Sequence, residues 1–155
     1  MAKVYEALER IDEETGKEDP DYDTAKEILS ELRNNSENLK SYDRSVLWNS
    51  WGYMYIIDEK IDLATDAYTK LINEPEVTLG LRNAGLLTLA QLYMASEEFE
   101  KSIDLLLEWM SQVEKVTAQS WSILATAYYQ LGDFEKALEN MKLILVDSDQ
   151  EAVDL

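Results

Sequence analysis

A chain of 155 residues with 46% hydrophobic content, five Gly and two Pro is long enough to bury one sizeable core and too poor in helix breakers for extended loops. Its 32 acidic and 14 basic residues leave a net charge of −18 spread along the whole length, which repels phosphate backbones and anionic membranes and excludes nucleic acid as a partner. There is no Cys and no His, so disulfides, thiolate metal sites, the commonest general base and the commonest thiol nucleophile are all missing.

In chain order, Val4, Leu8 and Ile11 mark a first helix over about 2–15, which Gly16 to Pro20 stops. Tyr22, Ala25, Ile28, Leu29 and Leu32 mark a second over about 21–33. Six more are predicted at about 42–57, 60–73, 78–95, 97–113, 118–131 and 134–147, with Asp21, Ser41, Thr78, Ser96, Thr117 and Asp133 as N-caps and an acidic tail, 148–155, frayed. No apolar run is long enough to span a bilayer, and Met1–Arg10 is too charged for the apolar centre of an export signal, so a soluble chain without membrane insertion is expected. The run Asp19-Pro20-Asp21-Tyr22-Asp23 imitates the start of a calcium loop. It has Thr24 where such a loop needs Gly and Ser30 where it needs a bidentate Glu, and an acidic helix N-terminus explains it better.

Three segments keep one set of offsets: Trp48, Trp51, Gly52, Tyr55; Leu86, Leu89, Ala90, Tyr93; and Trp121, Leu124, Ala125, Tyr128. Nine residues past each Tyr comes a small residue (Ala64, Ser102, Ala137), and four further on a large one (Tyr68, Leu106, Met141). This resembles the tetratricopeptide pattern W-x2-L-G-x2-Y, A-x3-F, P. The Tyr-to-Tyr intervals of 38 and 35 slightly exceed the family period of about 34. Departures are Ala for Gly at Ala90 and Ala125, Ser for Ala at Ser102, and a final Pro kept only as Pro75. The resemblance implies an all-α, right-handed α-solenoid of about eight helices stacked as antiparallel pairs. One domain, 1–155, would hold a degenerate pair at 1–40 and three repeats at 45–78, 83–116 and 118–149. Trp48, Trp51, Trp121, Tyr55, Tyr93 and Tyr128 sit at core positions of that template, and Trp109 is expected to pack between repeats.

No nucleophile elbow, phosphate loop or dinucleotide motif is present, and neighbouring carboxylates on helices this acidic arise by chance. A non-catalytic protein that uses no cofactor or metal is expected. Function in this family is carried by a concave surface lined by the first helix of each pair. Template positions place Asn49 and Tyr53, then Leu87, Gln91 and Met94, then Gln119, Ser122, Thr126 and Tyr129 on it. The family's clamp for a terminal carboxylate needs Lys, Arg and Asn in these rows, and they contain no basic residue. A neutral groove of amides, hydroxyls and tyrosines remains, suited to an extended peptide, with a basic partner favoured by the charge.

The stretches Leu47-Trp48-Asn49, Leu87 to Tyr93 and Ala127 to Gly132 are similar to tetratricopeptide proteins that accompany TonB energy-transduction systems of gram-negative bacteria. That likeness implies a periplasmic or envelope-associated adaptor; otherwise a cytoplasmic location is expected. The alternative is a self-associating assembly subunit. The last helix, with Met141 and Leu145, either forms a homo-oligomer or is polar enough to stand alone, because nothing after Val146 supplies a capping helix.

Overall fold

The computed structural model describes the backbone of residues 2–153 and the side chains of residues 4–146. Among the described residues it contains helices and no strand: α1 (Ala2–Thr15), α2 (Tyr22–Asn34), α3 (Ser41–Ile57), α4 (Ile61–Ile72), α5 (Leu79–Ala95), α6 (Phe99–Met110), α7 (Ala118–Gln130) and α8 (Phe134–Val153), with a short 3-10 turn at Ser36–Asn38. The predicted helices are all present. The largest departures are in α6, which is shorter at both ends, and in α8, which runs on to Val153 through most of the segment expected to fray. Asp154 and Leu155 of that segment lie outside the described residues.

Asp21, Thr78, Thr117 and Asp133 accept hydrogen bonds from the backbone N–H three residues on and cap their helices. Two of the predicted caps are corrected. Ser41 lies inside α3 behind Lys40, and its hydroxyl accepts instead from the Glu76 N–H at 2.9 Å. Ser96 is the turn residue that follows α5, its N–H bonded to the Leu92 carbonyl at 3.0 Å, and Glu98 stands at the N-cap of α6.

The nine-residue offset has a hydrogen-bonded cause. The carbonyls of Tyr55, Tyr93 and Tyr128 accept from the N–H groups of Lys60, Glu98 and Asp133, at 2.8, 2.9 and 2.9 Å. The carbonyls of those three residues accept in turn from Ala64, Ser102 and Ala137, at 3.0, 3.1 and 3.0 Å. A step of five and a step of four therefore carry the chain from the template Tyr to the small residue one turn into the next helix. Between them, Glu59, Glu97 and Gly132 take the left-handed conformation with φ of 57°, 60° and 79°. Their N–H groups bond to Ile56, Met94 and Tyr129, which completes a Schellman turn in each repeat. This shortens α6 at its start: Glu97 is left-handed and Glu98, with ψ of 65°, is the non-helical N-cap, so the helix begins at Phe99.

The small residues mark close approaches. A Cβ on Gly52 would lie 2.6 Å from Cε2 of Tyr68. Ser102, fully buried, donates its hydroxyl to the Ala90 carbonyl at 2.8 Å, so the serine that departs from the template is satisfied by the small residue it faces.

The chain forms two compact units, Met1–Gly85 and Leu86–Leu155, with the division inside α5. In the first, α1 packs on α2, α2 on α3 and α3 on α4, around Ile11, Ala25, Ile28, Leu29, Leu47, Trp51, Met54 and Ala67. In the second, α6 packs on α7 and α7 on α8, and Ala90, Ile103, Leu106, Leu124 and Ala127 form a core. Trp51 and Trp109 are buried. Trp48, Trp121, Tyr55, Tyr93 and Tyr128 are only half-buried. Ammonium groups of Lys70, Lys101 and Lys136 cover Trp48, Tyr93 and Tyr128 at 4.9, 5.1 and 5.1 Å. Tyr55 stacks on Trp51 with ring centres 5.2 Å apart.

Candidate functional site

Helix periodicity builds a cleft in the second unit. On α5, Gln91 and Met94 are three residues apart and share a face; on α7, Gln119, Ser122, Ile123 and Thr126 form one stripe at spacings of three, four and seven. These six residues line a cleft of about 360 Å³. Gln91, Gln119, Ser122 and Thr126 are exposed at its walls, while Met94 and Ile123 are half-buried and form its apolar part. Every lining residue is uncharged, and α7 (AQSWSILATAYYQ) carries no charge along its whole length.

The polar groups differ in what they can offer. The Thr126 hydroxyl donates to the Ser122 carbonyl at 2.8 Å, so toward a ligand its oxygen acts as an acceptor. The side-chain amides of Gln91 and Gln119 each offer two donors and an acceptor, the complement of a peptide unit. A second, mostly apolar hollow of about 300 Å³ lies between α7 and α8, lined by Ser122, Ala125, Thr126, Tyr129, Met141 and Ile144.

The sequence-predicted groove residues thus divide. Gln91, Met94, Gln119, Ser122 and Thr126 come together in the cleft. Tyr129 lines the second hollow instead, where its ring meets Phe134 edge-on at 5.3 Å. Leu87 packs against the core of the second unit. Asn49, half-buried, and Tyr53, 49% exposed, lie on α3 in the first unit. Met141 and Leu145 are 55% and 65% exposed on α8. Ile123 was missed. Its spacing of four from Gln119 was the available signal, but it is absent from the template positions carried over.

No family model matches the chain, and no curated protein matches it. Among solved structures, the crystal structure of MamA protein superposes with a TM-score of 0.58, covering 98% of this chain and 96% of the MamA chain at 15% identity. The fold is a tetratricopeptide-type helical repeat. At that identity the likeness speaks to architecture alone: an all-α protein of the α-solenoid class. Among the described residues, no helix is long and apolar enough to cross a membrane.

Proposed function

We propose that this protein is a non-catalytic scaffold whose α5–α7 cleft binds an extended, basic peptide segment of a protein partner. The observation that carries the reading is the convergence of Gln91, Gln119, Ser122 and Thr126 around Met94 and Ile123 in one uncharged cleft. An extended segment leaves its backbone N–H and C=O groups unpaired, and glutamine amides at the walls can pair with both kinds. Apolar surface at Met94 and Ile123 takes an occasional side chain. With no charge in the cleft, the charge preference comes from the field of a chain at −18, which speeds the encounter with Lys-rich segments and weakens with salt.

The narrower role, an adaptor of a TonB-dependent transport system, rests on the sequence resemblance. It makes the segment a Pro- and Lys-rich spacer. Such a segment is already extended as polyproline II, so less ordering entropy is lost on docking. Titration calorimetry with a Lys-Pro repeat peptide at two salt concentrations tests the reading. Binding should weaken with salt, and Gln91→Ala and Gln119→Ala should each weaken it roughly 3- to 10-fold, one hydrogen bond's worth. Binding indifferent to both substitutions would refute the cleft as the site.

A further inference from the structure

The repeat lets one surface of the second unit be compared with its own counterpart 35 residues on. The hollow between α7 and α8 is lined by Ser122, Ala125, Thr126, Tyr129, Met141 and Ile144. One repeat earlier, the same places are held by Leu87, Ala90, Gln91, Met94, Leu106 and Trp109. There the surface is occupied: Leu87, Ala90, Met94 and Leu106 pack with Trp121, Ile123, Leu124 and Ala127 of α7 in one core. The outer residues follow suit. Ile103 and Leu106 are 7% and 0% exposed beneath α7, whereas their counterparts Leu138 and Met141 are 54% and 55% exposed. Phe134, at 62%, extends the bare surface by another turn.

We propose that this α7–α8 surface seats an amphipathic helix of a partner protein, in the position that α7 itself takes on α5 and α6. The occupied copy within the same chain shows which kind of element fits. Phe134, Leu138, Met141 and Leu145 follow one another at intervals of four, three and four, the seam that a single helix covers. The seam is about 16 Å long at 1.5 Å per residue, the reach of three helical turns. The occupied copy one repeat earlier takes a single helix into this groove, and a partner's amphipathic helix would meet the seam in the same way. The chemistry of the partner follows from α7: large apolar side chains spaced as Trp121, Leu124 and Tyr128, an alanine at the place of the fully buried Ala127, and few charges.

The probe is a peptide with the sequence of α7, Ala118 to Gln130, stapled on its outer face because an isolated helix this short is marginal in water. Fluorescence anisotropy with the full chain should show saturable binding. Leu138→Lys and Met141→Lys should each weaken it at least tenfold, and so should Leu124→Asp in the peptide, while Gln91→Ala in the protein leaves it unchanged. Circular dichroism melting of the two lysine variants, both at exposed sites, confirms that they remain folded. Binding indifferent to both lysine substitutions, or no binding to a monomeric chain, would overturn the proposal. Sedimentation as a dimer that both variants dissociate would overturn it too, by making a second copy the occupant.

Discussion

The Tyr68 ring lies against the Cα of Gly52 so closely that a Cβ at residue 52 would stand 2.6 and 2.8 Å from two of its carbons. The contact joins α3 to α4 in the first unit, and its partners are template positions of one repeat. Gly52→Leu should therefore destabilise the fold by roughly 1–3 kcal/mol, and Gly52→Ala by less. Replacing Tyr68 with Leu in the Gly52→Ala background should recover part of the loss. Urea denaturation of the single and double variants measures this. Unchanged midpoints would mean that the two helices do not approach as described.

Turn conformation gives a prediction with both signs. Gly132 has φ of 79° and open space where a Cβ would stand, so Gly132→Ala tests backbone strain without a clash and should cost about 1–2 kcal/mol. Glu59 and Glu97 hold the equivalent left-handed position without the freedom of glycine. Glu59→Gly and Glu97→Gly should stabilise the protein by up to about 1 kcal/mol each, the relief of strain being partly offset by a more flexible unfolded chain. Paired urea titrations check the two directions.

Much of this fold was legible because it repeats. The Tyr-plus-nine offset survives in three segments because each hydrogen-bonded turn fixes the number of residues between the two helices. What escaped was local chemistry that the template does not encode. Ser96 looks like a helix cap until Glu97 is aligned with Gly132 and recognised as left-handed, which moves the start of α6 to Phe99. Ser41 has the right residue type one position too late, and its hydroxyl is taken by Glu76 across the repeat. At the candidate site, the family template's positions brought out Gln91, Met94, Gln119, Ser122 and Thr126. They missed Ile123, whose place in the cleft depends on how α7 is rotated toward α5.

The ion pair between Arg44 and Glu74 predicts a pH dependence. Nε and Nη2 of Arg44 meet the two carboxylate oxygens at 2.8 Å each, and the Trp48 Nε1–H donates to Oε1 at 3.3 Å. Burial acts to raise the Glu74 pKa, but hydrogen bonds from Arg44, Ser41 and Trp48 outweigh it and hold the carboxyl below its ordinary value. A carboxyl depressed in the folded state contributes stability above its unfolded pKa of about 4.3, lost as pH falls through the folded value. The stability difference between the native protein and Glu74→Gln should be flat at about 1–2 kcal/mol from neutral pH down to pH ~5, then shrink on further acidification. Denaturation midpoints of both proteins across that range provide the check.

Chemical-shift mapping of the isotope-labelled full chain during titration with a Lys-Pro repeat peptide shows whether the α5–α7 cleft is the binding site. If it is, saturable shifts concentrate on Gln91, Met94, Gln119, Ser122, Ile123 and Thr126, weakening together as salt is raised, with α8 unmoved. Shifts that avoid those six residues, or that gather on Phe134, Leu138 and Met141 instead, would contradict that assignment.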